Sequence, residues 1–448
     1  MKESVEKTGV KLFFVETYGC QMNIYDSELV ASILENAGYS AAPDLESADI
    51  VLVNTCAVRQ HAETRVRGRI NVLKAWKYRK PGRKICVLGC VAQAAAPAIA
   101  KDSPFVDVIA GPDSYRELPA LLEAGSEIPL MHTILDTAET YSGIIPSRSG
   151  SVSGWVAITR GCNNFCSYCI VPYTRGRERS RSAPEIIQEL NMLARSGVSE
   201  VTLLGQNVNS YTDETTDFAS LLEQAAAVPG LYRLRFLTSH PKDISEKLLE
   251  VMTSHSNICR HLHLPLQSGS NAVLKAMNRG YTVEHYCKSI EYARRIMPDI
   301  SLSTDMIVGF PGETEKDFSE TLTTMETVQY DDAFTYRYSK RSGTKAASMP
   351  GQVPEPVIME RLNRLIVMQR AISLKSREKM IGRCVEVLPE AVSKQSDQEW
   401  IGKTQGNFAV VFPKQGLCMG KPVRLQINEL RGVTLRGVPM QQEEPVMG

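Results

Sequence analysis

At 448 residues, with 43% hydrophobic and 23% charged side chains, the chain has the balance of a globular protein and enough length for two or three domains. No run of 18 or more apolar residues occurs, so no membrane-spanning helix is expected, and residues 1–7 carry no signal-peptide core. A formal net charge of +1 rules out a globally basic nucleic-acid binder. The 11 cysteines, in a chain read as cytoplasmic, point to metal or redox chemistry rather than to disulfides.

Residues 10–130 are expected to form a first domain. Strand signals at 11–17, 49–54, 84–88 and 106–109 alternate with helix signals at 27–36 and 60–78. Short apolar strands separated by helices predict a doubly wound parallel sheet, whose ligands gather at the carboxyl ends of the strands. Cys20, Cys56 and Cys90 each follow one of the first three strands. They are therefore expected to converge on one crevice and to hold a metal cluster, whereas Cys86, inside the third strand, is expected in the core. Residues 65–84 carry nine Lys or Arg and no acid, with Trp76 and Tyr78 interleaved. Uncompensated positive charge of that density suits a phosphate backbone. Arg65, Arg67, Arg69, Lys74, Lys77 and Arg79 are the candidate RNA contacts, a solvated helix face being the alternative.

A Ser- and Gly-rich linker at 138–154 leads to a second domain at 148–375. Strand signals at 156–158, 201–204, 233–236, 261–264, 303–308 and 333–336 alternate with helices, which fits a partial TIM-type (β/α)6 barrel with its chemistry at the carboxyl strand ends. Directly after the first strand stands Cys162-x3-Cys166-x2-Cys169. Chance would place this triplet in the chain ~0.007 times. Four thiolates close a 4Fe–4S cluster, whereas three leave one iron open to another ligand. A second basic run, Arg175 to Arg181, follows. Past a helix at 355–380, a third domain at 377–442 holds five short strand signals with Gly turns, a small β-barrel without an acid–base constellation that is expected to bind rather than catalyse. His240, His261 and His263 are expected as core residues, and Cys259, Cys287, Cys384 and Cys418 as packing residues.

The segment from Thr159 to Gly176, built around the three cysteines, resembles the radical S-adenosylmethionine (SAM) superfamily. Together with 17–23, 54–56 and 88–90, it makes nearly the whole chain resemble the methylthiotransferases of that superfamily, which convert C–H to C–S–CH3. Stretches 54–59, 168–176, 203–209 and 238–241 are most similar to the members acting on isopentenylated adenosine beside the anticodon of tRNA. The resemblance implies two 4Fe–4S clusters, one on Cys162, Cys166 and Cys169 and an auxiliary one on Cys20, Cys56 and Cys90. The first would cleave SAM to a radical; the second would carry a sulfide or methylsulfide, with another SAM as methyl donor. Gln206, Ser239 and Gln267 are implied around SAM, with Arg177 or Arg179 on its carboxylate and Gly309 letting the backbone approach the adenine. The C-terminal barrel is implied to be a TRAM domain that binds RNA. Implied partners are tRNA carrying isopentenyladenosine and an electron donor such as a flavodoxin, with a monomer expected. Threonylcarbamoyladenosine in tRNA or a ribosomal-protein aspartate are the alternative substrates, and an iron–sulfur RNA-binding sensor is the non-enzyme alternative.

Overall fold

The computed structural model describes residues 10–57, 60–148 and 151–440. Outside them lie the N-terminal residues read for a signal peptide, Val58 and Arg59 of the 54–59 stretch, two residues of the 138–154 linker, and 441–442 at the end of the third expected domain.

β1 (Leu12–Tyr18), β2 (Ser40–Ala41), β3 (Ile50–Thr55), β4 (Lys84–Gly89), β5 (Val108–Ala110) and β6 (Leu130–His132) form one sheet in the order β2-β1-β3-β4-β5-β6. Every pairing in it is parallel. β3 is buried along its whole length, as a strand covered on both faces must be. Its side chains alternate between two cores. Ile50 and Leu52 pack with Leu29, Leu34 and Cys86 on one face; Val51 and Val53 pack with Ile70, Leu73 and Trp76 on the other. The covering helices include α1 (Gln21–Asn36), α2 (Gln60–Tyr78) and α3 (Cys90–Asp102). α1 starts six residues before the expected position, because its polar first turns are buried and bonded rather than exposed: Asn23 and Asp26 are both 0% accessible.

The chain continues through β7 (Ser153–Ala157), then β8 (Thr159–Arg160) and β9 (Arg179–Ser180), the last two an antiparallel pair. It divides into two compact units. The first is Met1–Ser149 with Thr159–Asn163 and Cys169–Arg181; the second is Gly150–Ile158 with Asn164–Tyr168 and Ser182–Gly448. Both flanks of the three-cysteine loop thus pack with the N-terminal sheet.

In the second unit β7 joins β10 (Glu200–Leu204) and β11 (Arg233–Phe236), and β12 (His261–His263) joins β13 (Ser301–Val308) and β14 (Asp332–Arg337). All four pairings are parallel, and a bridge from Leu234 to Ile258 carries the series from β11 toward β12. One large core of aliphatic and aromatic side chains from these strands and their helices fills it. This is the expected open (β/α)6 arrangement.

The helix Glu355–Glu378 leads to β15 (Cys384–Val392), β16 (Glu399–Thr404), β17 (Ala409–Pro413), β18 (Val423–Arg431) and β19 (Thr434–Pro439), a closed barrel in the order β15-β16-β17-β19-β18. Val387, Val410, Phe412, Leu425, Ile427 and Leu435 fill it. The buried Arg233 and Arg235 of β11 hold the barrel through its backbone carbonyls. Arg233 donates to Lys403 O and, at 3.0 Å, to Glu386 O; Arg235 donates to Gln405 O at 2.9 Å and Thr404 O at 2.7 Å. Among the described residues no helix is long and apolar enough to cross a membrane.

Candidate functional site

The parallel sheet of the first unit brings three cysteines to its carboxyl edge. Cys20 caps α1 just past β1, Cys56 follows β3, and Cys90 opens α3 after β4. The backbone beneath them is tied by amides. Asn23 Nδ2 donates to Asn54 Oδ1 and to Thr55 O, both at 3.2 Å, and Asn54 Nδ2 returns to Asn23 O at 2.9 Å. A hydrogen bond with the Cys56 thiol, outweighing burial, pulls Cys20 down to about 6, and Cys20 Sγ donates to Asn23 Oδ1 at 3.3 Å. Burial pushes Cys90 up, against the opposing pull of Arg175, whose Nε donates to Cys90 Sγ at 3.2 Å. Among the described residues no three His, Cys, Asp or Glu side chains stand at metal-ligand spacing; Cys20 bonds to Cys56 and Asn23, and Cys90 to Arg175. The donor set nevertheless fits an anionic iron–sulfur cluster. Three soft sulfur ligands share one sheet edge, beside a buried guanidinium whose Nη1 has no hydrogen-bond partner among the described residues.

The loop with the other three cysteines is pinned at both ends within the first unit. Thr159 pairs with Ser180 and Arg160 with Arg179. Gly161, at φ +77°, lets the Arg177 carbonyl approach to where a Cβ would stand 2.1 Å away, and Cys162 N donates to Gly176 O at 3.2 Å. Arg160 and Arg175 grip the two oxygens of Asp26 at 2.9 and 2.7 Å. In the second unit, Asn278 Nδ2 donates to the Asn164 and Phe165 carbonyls at 3.2 and 3.1 Å. There the buried Arg279 donates from Nη1 to Cys166 Sγ at 3.2 Å. No local pattern marks Arg279, which lies 113 residues from Cys166; only the fold brings it in.

The cofactor residues divide. Ser239 follows β11 and Gln267 follows β12; both are buried, and Ser239 Oγ and Gln267 Oε1 lack partners. Gln267 takes φ +74° and is held by its own backbone, with N donating to Asp305 O at 2.8 Å and O accepting from Ile307 N at 2.9 Å. His240, expected only as a core residue, is buried with Nε2 unpartnered. Burial and the neighbouring Arg279 and Lys242 cations push it down to about 2, so it is a neutral polar group. These orphaned polar atoms at strand carboxyl ends fit a polar ligand. Gln206 follows β10 and is half-buried, and Arg177 is exposed.

Several expectations need correction. The space that a Cβ at Gly309 would take is filled by Ile358, 2.4 Å from that position, so on that side the glycine admits a helix. Arg179 is committed to Asp113 at 2.9 and 3.0 Å and is not available to a SAM carboxylate. The basic run at 65–84 is not uncompensated, because acids arrive from other elements. Arg67 pairs with Asp102 at 2.7 Å, Arg69 with Glu16 at 2.5 Å, Lys77 with Asp107 at 2.7 Å and Arg79 with Glu46 at 3.2 Å. Lys74 stands over the Phe105 ring, 5.4 Å from its centroid, and is exposed like Arg65. Cys384 and Cys418 are exposed rather than packed. The sequence reading also passed over Phe334 and Tyr336, exposed aromatics on the face of β14 opposite Ala333, with His263 edge-on to Phe334 at 5.9 Å.

Comparison with known proteins gives this geometry a setting. Residues 156–325 match the Radical SAM superfamily, 12–111 the Uncharacterized protein family UPF0004 and 378–440 the TRAM domain. Among solved structures, the radical SAM methyltransferase TsrM from Kitasatospora setae has a TM-score of 0.56 at 14% identity, covering 76% of this chain and 74% of that one. The cobalamin-dependent radical enzyme OxsB has 0.55 at 12%, covering 81% and 56%. Fold and sequence together define a radical SAM enzyme with a C-terminal TRAM domain. The tRNA-2-methylthio-N(6)-dimethylallyladenosine synthase of Thermoanaerobacter sp. (strain X514) is 47% identical over 98% of this chain and 95% of its own length. Those of Acetivibrio thermocellus and Bacteroides thetaiotaomicron are 45% and 46% identical, over 96% and 95% of this chain and 92% and 96% of their own lengths. The chain belongs to the family of tRNA-2-methylthio-N(6)-dimethylallyladenosine synthases.

Proposed function

We propose that this enzyme methylthiolates N6-isopentenyladenosine beside the anticodon of tRNA, in the cytoplasm, giving 2-methylthio-N6-isopentenyladenosine. Full-length likeness to synthases named for that product carries the reading. Three domains divide the work: 10–130 for sulfur, 148–375 for SAM and the radical, and 377–442 for RNA. Cys162, Cys166 and Cys169 hold a 4Fe–4S cluster that, with SAM bound, supplies the 5′-deoxyadenosyl radical. Cys20, Cys56 and Cys90 hold a second cluster beside which sulfide or methylsulfide is kept. Gln206, Ser239 and Gln267 hold SAM through the polar atoms they aim from strand ends, and neutral His240, whose Nδ1 accepts from Lys242 N, adds its Nε2–H as a donor there. Phe334 and Tyr336 offer rings on which a purine can stack. Arg65 and Lys74 are the basic-run residues best free to meet tRNA phosphates. An electron donor of the flavodoxin type reduces the enzyme, which works as a monomer.

The test is mass spectrometry of nucleosides after incubating the anaerobically reconstituted, reduced enzyme with SAM and isopentenylated tRNA. A methylthio-isopentenyladenosine product is expected. 5′-Deoxyadenosine without that product would reject the substrate and move the search to threonylcarbamoyl tRNA. Alanine at Cys162, Cys166 or Cys169 should abolish 5′-deoxyadenosine formation and remove about half the iron. Alanine at Cys20, Cys56 or Cys90 should spare SAM cleavage but stop thiolation; full thiolation in those variants would end the two-cluster reading.

A further inference from the structure

The residue after the helical turn Val171–Thr174 is Arg175, six positions beyond Cys169 and part of the compact unit that holds the N-terminal sheet. Its side chain is 4% accessible. One edge of the guanidinium is spent on Asp26 Oδ2 at 2.7 Å, Nε is spent on Cys90 Sγ at 3.2 Å, and Nη1 is buried without a hydrogen-bond partner among the described residues. Around it the charges do not balance. Arg160, Arg175 and Arg179 are buried together, and among the described residues the carboxylates bonded to them are Asp26 and Asp113. Arg160 adds two more orphaned nitrogens, Nε and Nη1. A buried cation without a counter-charge is costly. The groups on this sheet edge able to supply negative charge are the three cysteines, Cys90 in contact with Arg175 and Cys20 hydrogen-bonded to Cys56.

We propose that Arg175 is the positioning residue of the Cys20/Cys56/Cys90 cluster: its buried guanidinium donates to the Cys90 sulfur, supplies the counter-charge to the thiolate-ligated cluster and sets that cluster's reduction potential. The inference rests on the two-cluster reading above. Hydrogen bonds and positive charge at a ligating sulfur stabilise the reduced, more negative form and so raise the potential. Asp26 tempers the effect by neutralising part of the guanidinium charge. The segment that carries Cys169 therefore also controls how easily the other cluster takes an electron.

The experiment is an EPR-monitored dithionite titration of the full-length chain carrying Cys162→Ala, Cys166→Ala and Cys169→Ala, so that only the auxiliary cluster reports. Iron is counted alongside. Arg175→Gln should move the midpoint to more negative potential, and Arg175→Lys, which keeps the charge but not the planar donor, should recover part of the shift. Asp26→Asn, which leaves the cysteines untouched and unmasks positive charge, should move it in the opposite direction. Opposite signs cannot arise from loosened packing alone. Four irons per chain with a midpoint that ignores all three substitutions, or moves the same way for Arg175→Gln and Asp26→Asn, would overturn the role of Arg175. No iron bound by the triple-alanine chain would overturn the auxiliary cluster itself, and the inference with it.

Discussion

Gly309 closes β13 at φ +77°, with Ile358 of the helix Glu355–Glu378 where its Cβ would be. Two penalties coincide there, a left-handed backbone and an overpacked contact. Gly309→Ala is expected to cost about 1–3 kcal/mol of unfolding free energy, and to cost less when introduced into an Ile358→Ala background, where there is room for the new methyl. SAM affinity measured beside the denaturation curves decides the role. A glycine that lets backbone approach adenine would lose SAM binding first, whereas one that seats a helix loses stability. In the basic run, two residues alike in sequence separate equally well. Arg69 is bonded to Glu16, while Lys74 is exposed over Phe105. Lys74→Glu should weaken tRNA binding in a salt-dependent way without lowering the melting temperature; unchanged affinity would move the RNA footprint off this helix.

Four-residue β11, Arg233–Phe236, shows where element-level reading stops. A strand is expected at 233–236, and the strand is there. The arginine face, however, is buried, because the C-terminal barrel brings the carbonyls of Glu386, Lys403, Thr404 and Gln405 onto it. Glu200, buried beside them, stands 2.9 Å from Arg235 Nε. Arg235→Met leaves that carboxylate to Arg233 alone, 4.0 Å away, and strands two carbonyls, at an expected cost of about 3 kcal/mol. Limited proteolysis should then cut near 379–384, between the helix and β15, faster than in the parent chain. Equal cleavage would mean that the barrel is held elsewhere. The same reasoning explains α1. The helix is expected only from residue 27, yet it starts at Gln21, with Asn23 and Asp26 satisfied by β3 and by two arginines. The apolar strands, the central barrel series and the cysteine spacing were legible because each is a local pattern. Partners such as Asp26, 134 and 149 residues from Arg160 and Arg175, were not.

Over the whole molecule the near-neutral net charge is built from local balances, so the pH response comes from the few groups that the fold keeps from ionising. Burial, then nearby cations, pushes His240 down to about 2 and His261 down to about 3. In the unfolded chain each titrates near ~6.5. Between those values the unfolded chain binds protons that the folded chain refuses, so stability is unaffected above about pH 6.5 and falls as pH drops below it. At pH 5 the penalty is on the order of 2 kcal/mol for each histidine. His261 Nε2 shares a hydrogen bond of 2.9 Å with Ser303 Oγ, a contact that asparagine can keep. His261→Asn, whatever it costs at pH 7.5, should therefore lose about 2 kcal/mol less than the parent between pH 7.5 and pH 5 in denaturant titrations. Acid loss of iron affects both chains alike and cancels in that difference. Parallel stability–pH curves for the two proteins would show that His261 takes up its proton in the folded state, and that the β12–β13 interior is wetter than its burial indicates.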